Sequence, residues 1–350
     1  MLFLLSFIIL PNYILRQRIN KVKDYKESCP INFLRTYIIS KKRFPKGGQK
    51  VKSIIVCNTA ADSLSKVSLN DYSVKNIPLD SGEGPVGPHG VDYYKGNIIT
   101  ANNYSNSISI ISLLDNKEVK NIYVGAHPND VKGYKDRVYV ACGECNSLSI
   151  IDMIAEKMIF EISLGAYPHS IDIDQDKSIA YVSNMEGNSV SVVDCVNNKV
   201  IDNIMSIECP TKILLSKDKK MLYLCESYLG SDIDGYVDII STDNNKIIRK
   251  IKVGAAPIDL WEEDGKLYVT NFNEGSLSIV DVQKGREIRK IFVGGMPRGV
   301  IKYQDDIFIG NYMKGTISKI NLKERIIKTI PVGKEPNAMV LVDYPQKIID

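Results

Sequence analysis

The chain has 350 residues, 44% of them hydrophobic, with 45 Lys/Arg against 41 Asp/Glu. This composition supports a buried core and excludes the disordered and collagen-like classes. Residues 1–50 hold 11 Lys/Arg and two acids, net +9, so the other 300 carry 34 against 39, net −5. The formal +4 of the whole chain therefore does not mark a basic nucleic-acid surface beyond residue 50.

Residues 1–50 do not share the repeating pattern of the rest of the chain. The apolar run from Leu2 to Leu10 has nine residues and meets Pro11, whereas a spanning helix needs about 20. A secretory signal carries positive charge before its apolar stretch. Here Arg16, Arg18, Lys21 and Lys23 come after it, and on insertion they would keep the rest of the chain in the cytoplasm. A third reading is that the segment is not translated. Lys46-Gly47-Gly48-Gln49-Lys50-Val51 can be encoded by a purine-rich ribosome-binding sequence followed by GTG, so translation is expected to start near Val51.

From Ser53 to Leu79 three short strands are expected, followed by a Gly-rich connection, Ser81–Gly87. A unit then repeats, marked by Val-Gly-x-x-Pro or a variant of it. Its prolines are Pro88, Pro128, Pro168, Pro210, Pro257, Pro297 and Pro336, with gaps of 40, 40, 42, 47, 40 and 39 residues. The copy after Pro257 is the clearest. Runs at Ile258–Trp261, Lys266–Thr270, Ser276–Asp281 and Glu287–Val293 are separated by turns such as Asp264-Gly265 and Lys284-Gly285. These are strand signals. The first two runs are expected to be inner strands buried on both faces, and the alternating last two to be outer strands.

Four antiparallel strands per forty residues make a propeller blade. Six units lie between Pro88 and Pro336. The C-terminal run Pro336–Val342 supplies an innermost strand for the three N-terminal ones. Residues 51–350 therefore predict an all-β, seven-bladed β-propeller with four-stranded blades, its ring closed 3+1 so that no edge stays open.

Tyr268-Val269-Thr270-Asn271 and its variants at the same place, among them Tyr181-Val182-Ser183-Asn184 and Ile99-Thr100-Ala101-Asn102, resemble the YVTN-repeat family of β-propellers, which includes YncE-like bacterial proteins. The resemblance covers about residues 51–350. It implies the propeller fold but a wide range of functions, from binding proteins to lactonase-type and quinoprotein-like enzymes, with single-stranded DNA binding in some members.

Cys57 and Cys225 fall where other copies have Thr or Ala and read as small buried hydrophobes. Unpaired thiols suit a reducing cytoplasm, with a membrane-anchored or cell-surface protein as the alternative. Cys142-Gly143-Glu144-Cys145 offers only two ligands and reads as loop variation. Asp232-x-Asp234-Gly235 lacks the remaining oxygens of a calcium loop. No metal site and no cofactor is expected.

The residues after the repeat prolines, all but Ile258, are polar where their neighbours are mostly apolar. His89, Asn129, His169, Thr211, Arg298 and Asn337, with Asp130, Lys212 and Asp259 one place on, are expected in inter-blade loops ringing the mouth of the central channel. All three histidines, His89, His127 and His169, fall in this region. The insertions Ser81–Gly87 and Tyr228–Gly235 belong to the same face, as binding-face insertions in repeat proteins do. The repeated Asn58, Asn102, Asn184, Asn271 and Asn311 read as turn formers.

No nucleophile elbow, phosphate loop or HExxH is present. The leading expectation is a non-enzymatic recognition or scaffold protein that binds a protein, peptide or small molecule on the loop-bearing face, with no catalytic residue assigned. The alternative is a lactonase-like or oxidoreductase enzyme, which would need His89, His169, Arg298 and Asp130 or Asp259 to converge. Against single-stranded DNA binding stand the net −5 and the absence of an aromatic-basic groove.

Overall fold

The structure, a computed structural model, describes residues 50–345 apart from 207, 324 and 325. The expectations placed on residues 1–49 lie outside the described residues. Seven four-stranded antiparallel sheets make up the propeller. In the first blade the C-terminal strand Pro336–Pro345 is innermost, followed by Lys50–Asn58, Ser63–Ser68 and Val74–Pro78. Val342 lies opposite Ser53 and Tyr344 opposite Val51, so the ring closes 3+1. Blades two to seven begin at Pro88, Pro128, Pro168, Pro210, Pro257 and Pro297. Among the described residues no helix is long and apolar enough to cross a membrane.

Each blade is packed between two others, so successive residues of a second strand serve different cores. On the strand Asn97–Asn102, Ile98 joins Ile55, Leu64 and Val342 toward blade one. Its neighbour Ile99 joins Val131, Val138 and Val140 toward blade three. Burial on both faces is why the apolar Ile98 and Ile99 stand side by side on this strand.

The third strands depart from expectation. Ser276–Asp281 alternates polar and apolar residues, yet only its last residue leaves the interior. The buried serines are partners of the Asn column. Asn271 Nδ2 donates to Ser276 Oγ and Ser278 Oγ, each at 2.8 Å. Asn58, Asn102, Asn184 and Asn311 make the same two bonds to the hydroxyls five and seven residues on. These asparagines are buried clamps between strands two and three, not turn formers. The repeat glycine is their steric counterpart: a Cβ on Gly165 would stand 2.7 Å from Asn184 Nδ2, and one on Gly333 2.5 Å from Asn58 Cγ. At Asn58, Asn184 and Asn271 the repeat glycine and the clamp go together because a Cβ there would strike the amide.

Blade five replaces the clamp with charge. Glu226 stands at the Asn position and Asp238 at that of the second serine, both fully buried. Lys250 Nζ hydrogen-bonds Glu226 Oε2 and lies 3.9 Å from Asp238 Oδ1.

Candidate functional site

The site is built on the innermost strands. Each begins at its repeat proline, paired with the last residue of the second strand: Pro88 with Asn102, Pro168 with Asn184, Pro257 with Asn271. The ladder then slips and resumes at Gly90, Asp130, Ser170 or Asp259, and in three blades only at Ile213, Val300 or Met339. This recurring bulge leaves the residue after proline unpaired and re-aims its side chain. The predicted ring therefore sits on strand bulges rather than in inter-blade loops. The loop position proper is the residue before each proline, held at positive φ: His127 at 55°, Tyr167 at 55°, Met296 at 54°.

Eight of the nine predicted residues line one cavity of about 160 Å³: His89, Asn129, Asp130, His169, Lys212, Asp259, Arg298 and Asn337. Thr211 does not join them. It is fully buried, and its Oγ1 donates to the Pro257 carbonyl at 3.0 Å. His127 also stays outside the cavity, with its Nδ1 3.1 Å from the Tyr167 hydroxyl.

The two channel histidines are held alike. His89 Nδ1 lies 2.8 Å from the Asn129 carbonyl and His169 Nδ1 2.9 Å from that of Thr211. A carbonyl only accepts, so both Nδ1 atoms carry protons and each Nε2 of the neutral rings is an acceptor. The rings meet edge to face, 5.7 Å between centroids. Burial lowers the His169 pKa to about 4, and it holds His89 well below the usual imidazole value, reinforced there by the Arg298 charge. Both rings are therefore neutral at pH 7.

Arg298 completes the cluster. Its Nη1 donates to Asn337 Oδ1 at 2.9 Å and stands 3.4 Å from His89 Nε2. Its guanidinium carbon lies 4.8 Å from the ring centre of Tyr312 and 5.2 Å from that of Phe272. Among the described residues these direct partners are all neutral, and the buried Nε has none. Glu335, the acid that most favours the charge, is engaged by the Tyr312 hydroxyl. Desolvation draws the Arg298 pKa below its ordinary value.

The carboxylates have another task. Neighbouring innermost strands share no ladder, and aspartates tie them across the gap. Asp130 Oδ2 accepts from Ile171 N at 3.1 Å and from Ser170 Oγ at 2.9 Å, and Asp259 Oδ2 accepts from Val300 N at 3.0 Å. Asp92 and Asp172 do the same to Gly133 N and Leu215 N, each within 2.9 Å. Lys212 lies 4.0 Å from Asp130 and 3.7 Å from Asp259; Lys132 lies 3.8 Å from both Asp92 and Asp172. Deeper in the channel two lysines thus face four aspartates, and these ion pairs raise the pKa of both lysines against the effect of burial.

Sequence reading missed Phe272, Tyr312 and Lys132. The two aromatics directly follow the Asn clamp in consecutive blades, Asn271-Phe272 and Asn311-Tyr312, a signal that the repeat alignment contains. Cys142 occupies the clamp position of blade three and is buried, whereas Cys145 is exposed and accepts from Ala126 N at 3.0 Å. Among the described residues no group of three or more His, Cys, Asp or Glu is placed to hold a metal. Both insertions open on the face of the cavity: Ser81–Gly87 precedes Pro88, and Tyr228–Gly235 links the second and third strands of blade five.

No family model matches the chain, and no curated protein does. Solved structures do. A chain of Kuenenia stuttgartiensis hydrazine synthase is 16% identical with a TM-score of 0.67, covering 75% of this chain and 96% of its own. Two structures of AztD from Citrobacter koseri, one of them the apo form, are 14% and 13% identical, with TM-scores of 0.60 and 0.58. Each covers 86% of this chain and 100% of its own. At these identities the likeness is one of fold: the chain is a seven-bladed β-propeller.

Proposed function

We propose that this propeller, a YVTN-type repeat protein by its motifs, is a non-catalytic recognition module that takes a small polar ligand at the mouth of its central channel. The observation that carries this reading is the convergence of His89, His169 and Arg298, from three blades, on one cavity. The imidazoles are fixed by backbone carbonyls, and among the described residues the guanidinium meets no carboxylate directly. A few fixed polar groups in a concavity are the usual form of a binding site.

The same convergence is what an enzyme would need, so the lactonase-like or oxidoreductase alternative rests on it too. Two features favour binding over chemistry. Asp130 and Asp259 are engaged by backbone N–H groups and by Lys212. The histidines titrate too low for a base that works near neutrality. The buried free thiols are in keeping with a reducing compartment.

The test is a thermal-shift screen of small metabolites against the wild-type chain and Arg298→Leu. A compound that raises Tm in the wild type alone supports the reading. If no compound shifts the wild type, or shifts persist unchanged in the variant, the site lies elsewhere.

A further inference from the structure

Resting on that reading of the channel mouth, three properties of the cavity restrict its ligand. The first is charge. Lys212 and Lys132 are each matched by two aspartates, so Arg298 is the cation left for a guest. One unit of charge between two aromatic rings suits a planar monoanion that can meet the guanidinium fork, which is a carboxylate. A phosphate dianion would bring a second charge to a region that already holds Asp130 and Asp259.

The second property is hydrogen-bond polarity. Because both Nδ1 protons are committed to carbonyls, the histidine edge presents acceptors only. His89 Nε2 already faces Arg298 Nη1 at 3.4 Å, which leaves His169 Nε2, whose ring stands 5.7 Å from that of His89, as the acceptor open to a guest's donor. A plain carboxylate has none. A carboxylate with a hydroxyl or ammonium on the adjacent carbon satisfies both ends.

The third property is size. The volume of about 160 Å³ is close to that of an apolar cavity that accepts benzene, about 150 Å³. A guest of about six heavy atoms fits.

We infer that the site binds a small α-hydroxy or α-amino monocarboxylate, its carboxylate on Arg298 and its hydroxyl or ammonium on His169 Nε2. The probes are lactate, alanine and propionate, which have nearly the same size and differ in the donor. Each is titrated calorimetrically into the full chain at pH 7.5. Lactate or alanine is expected to bind at least tenfold more tightly than propionate, because the bound guest closes the site over His169 Nε2 and the analogue without a donor leaves it unpaired. Whichever of the two binds identifies the donor as hydroxyl or ammonium. His169→Leu should bring that probe and propionate to equal affinity while Arg298→Lys weakens both, each variant being checked for an unchanged circular dichroism spectrum. Equal binding of all three probes by the wild type, or a donor preference that survives His169→Leu, overturns the inference. Failure of all three, while other compounds still act through Arg298 in the thermal-shift screen, overturns the ligand class and leaves the recognition reading standing.

Discussion

Arg298 Nη1 stands 3.4 Å from His89 Nε2, although the two residues are 209 positions apart in the chain. The contact joins blade seven to blade two across the channel mouth and ties the ionisation of His89 to a fixed cation. In an NMR titration His89 should stay neutral well below the ordinary imidazole range. In Arg298→Gln its pKa should move upward, though burial, the larger cause, keeps it low. An unmoved His89 would show that the guanidinium charge is not felt there.

His169 links the channel to stability. Its folded pKa of about 4 lies below the unfolded value of 6.5, so between these pH values the unfolded chain binds more protons. Its contribution is complete above pH 6.5 and is lost as pH falls toward 4. The full loss is on the order of 3–4 kcal/mol, since one pKa unit corresponds to about 1.4 kcal/mol. Urea denaturation of the wild type and His169→Gln should show a difference that shrinks with acidification through this window. A constant difference contradicts the assignment.

Blade five has the opposite sign. Burial and the neighbouring Glu226 carboxylate raise the Asp238 pKa to about 7, above its unfolded value of 3.8. Asp238 therefore costs stability progressively as pH rises from 3.8 toward 7. Asp238→Asn, which cannot ionise, should gain Tm relative to wild type as the pH is taken from 5 to 8. Parallel Tm profiles would remove Asp238 as the source.

The Gly–Asn pairing predicts a double-mutant cycle. Gly165→Ala places a Cβ 2.7 Å from Asn184 Nδ2 and should destabilise by about 1–3 kcal/mol. Asn184→Ala leaves the buried Ser189 and Ser191 hydroxyls without their amide donor, at a cost of about 1–3 kcal/mol. Because the second change removes the group that the first one strikes, the double mutant should be more stable than the sum by at least about 1 kcal/mol. Additive denaturation free energies would contradict the steric account.

Thiol labelling separates the cysteines. Exposed Cys145 should react with iodoacetamide in the native protein, while Cys57, Cys142, Cys195 and Cys225, all buried and with raised pKa values, wait for unfolding. Mass spectrometry of peptides after a short pulse reads this directly.

The architecture was legible because it is periodic. A proline every forty residues, four strand-like runs between prolines and an orphan run at the C-terminus suffice for seven blades and their closure. The positions of eight cavity residues were legible for the same reason: in a closed ring, equivalent places in the repeat converge on the axis. Roles were less legible. The third strand reads as half-exposed until its serines are seen to satisfy Asn271, and the Asn column reads as turns until its glycine counterpart is seen. Thr211 has the right position but turns to the Pro257 carbonyl.

By itself the sequence determined the number of blades, the closure and the ring of positions that face the channel. Only the tertiary structure decided which of those positions are free to meet a ligand. That depends on hydrogen bonds between residues some forty places or more apart: His89 to Asn129, His169 to Thr211, Asp130 to Ile171, Arg298 to Asn337. The repeat brings these partners together, but it does not say which lone pair or proton each one uses up.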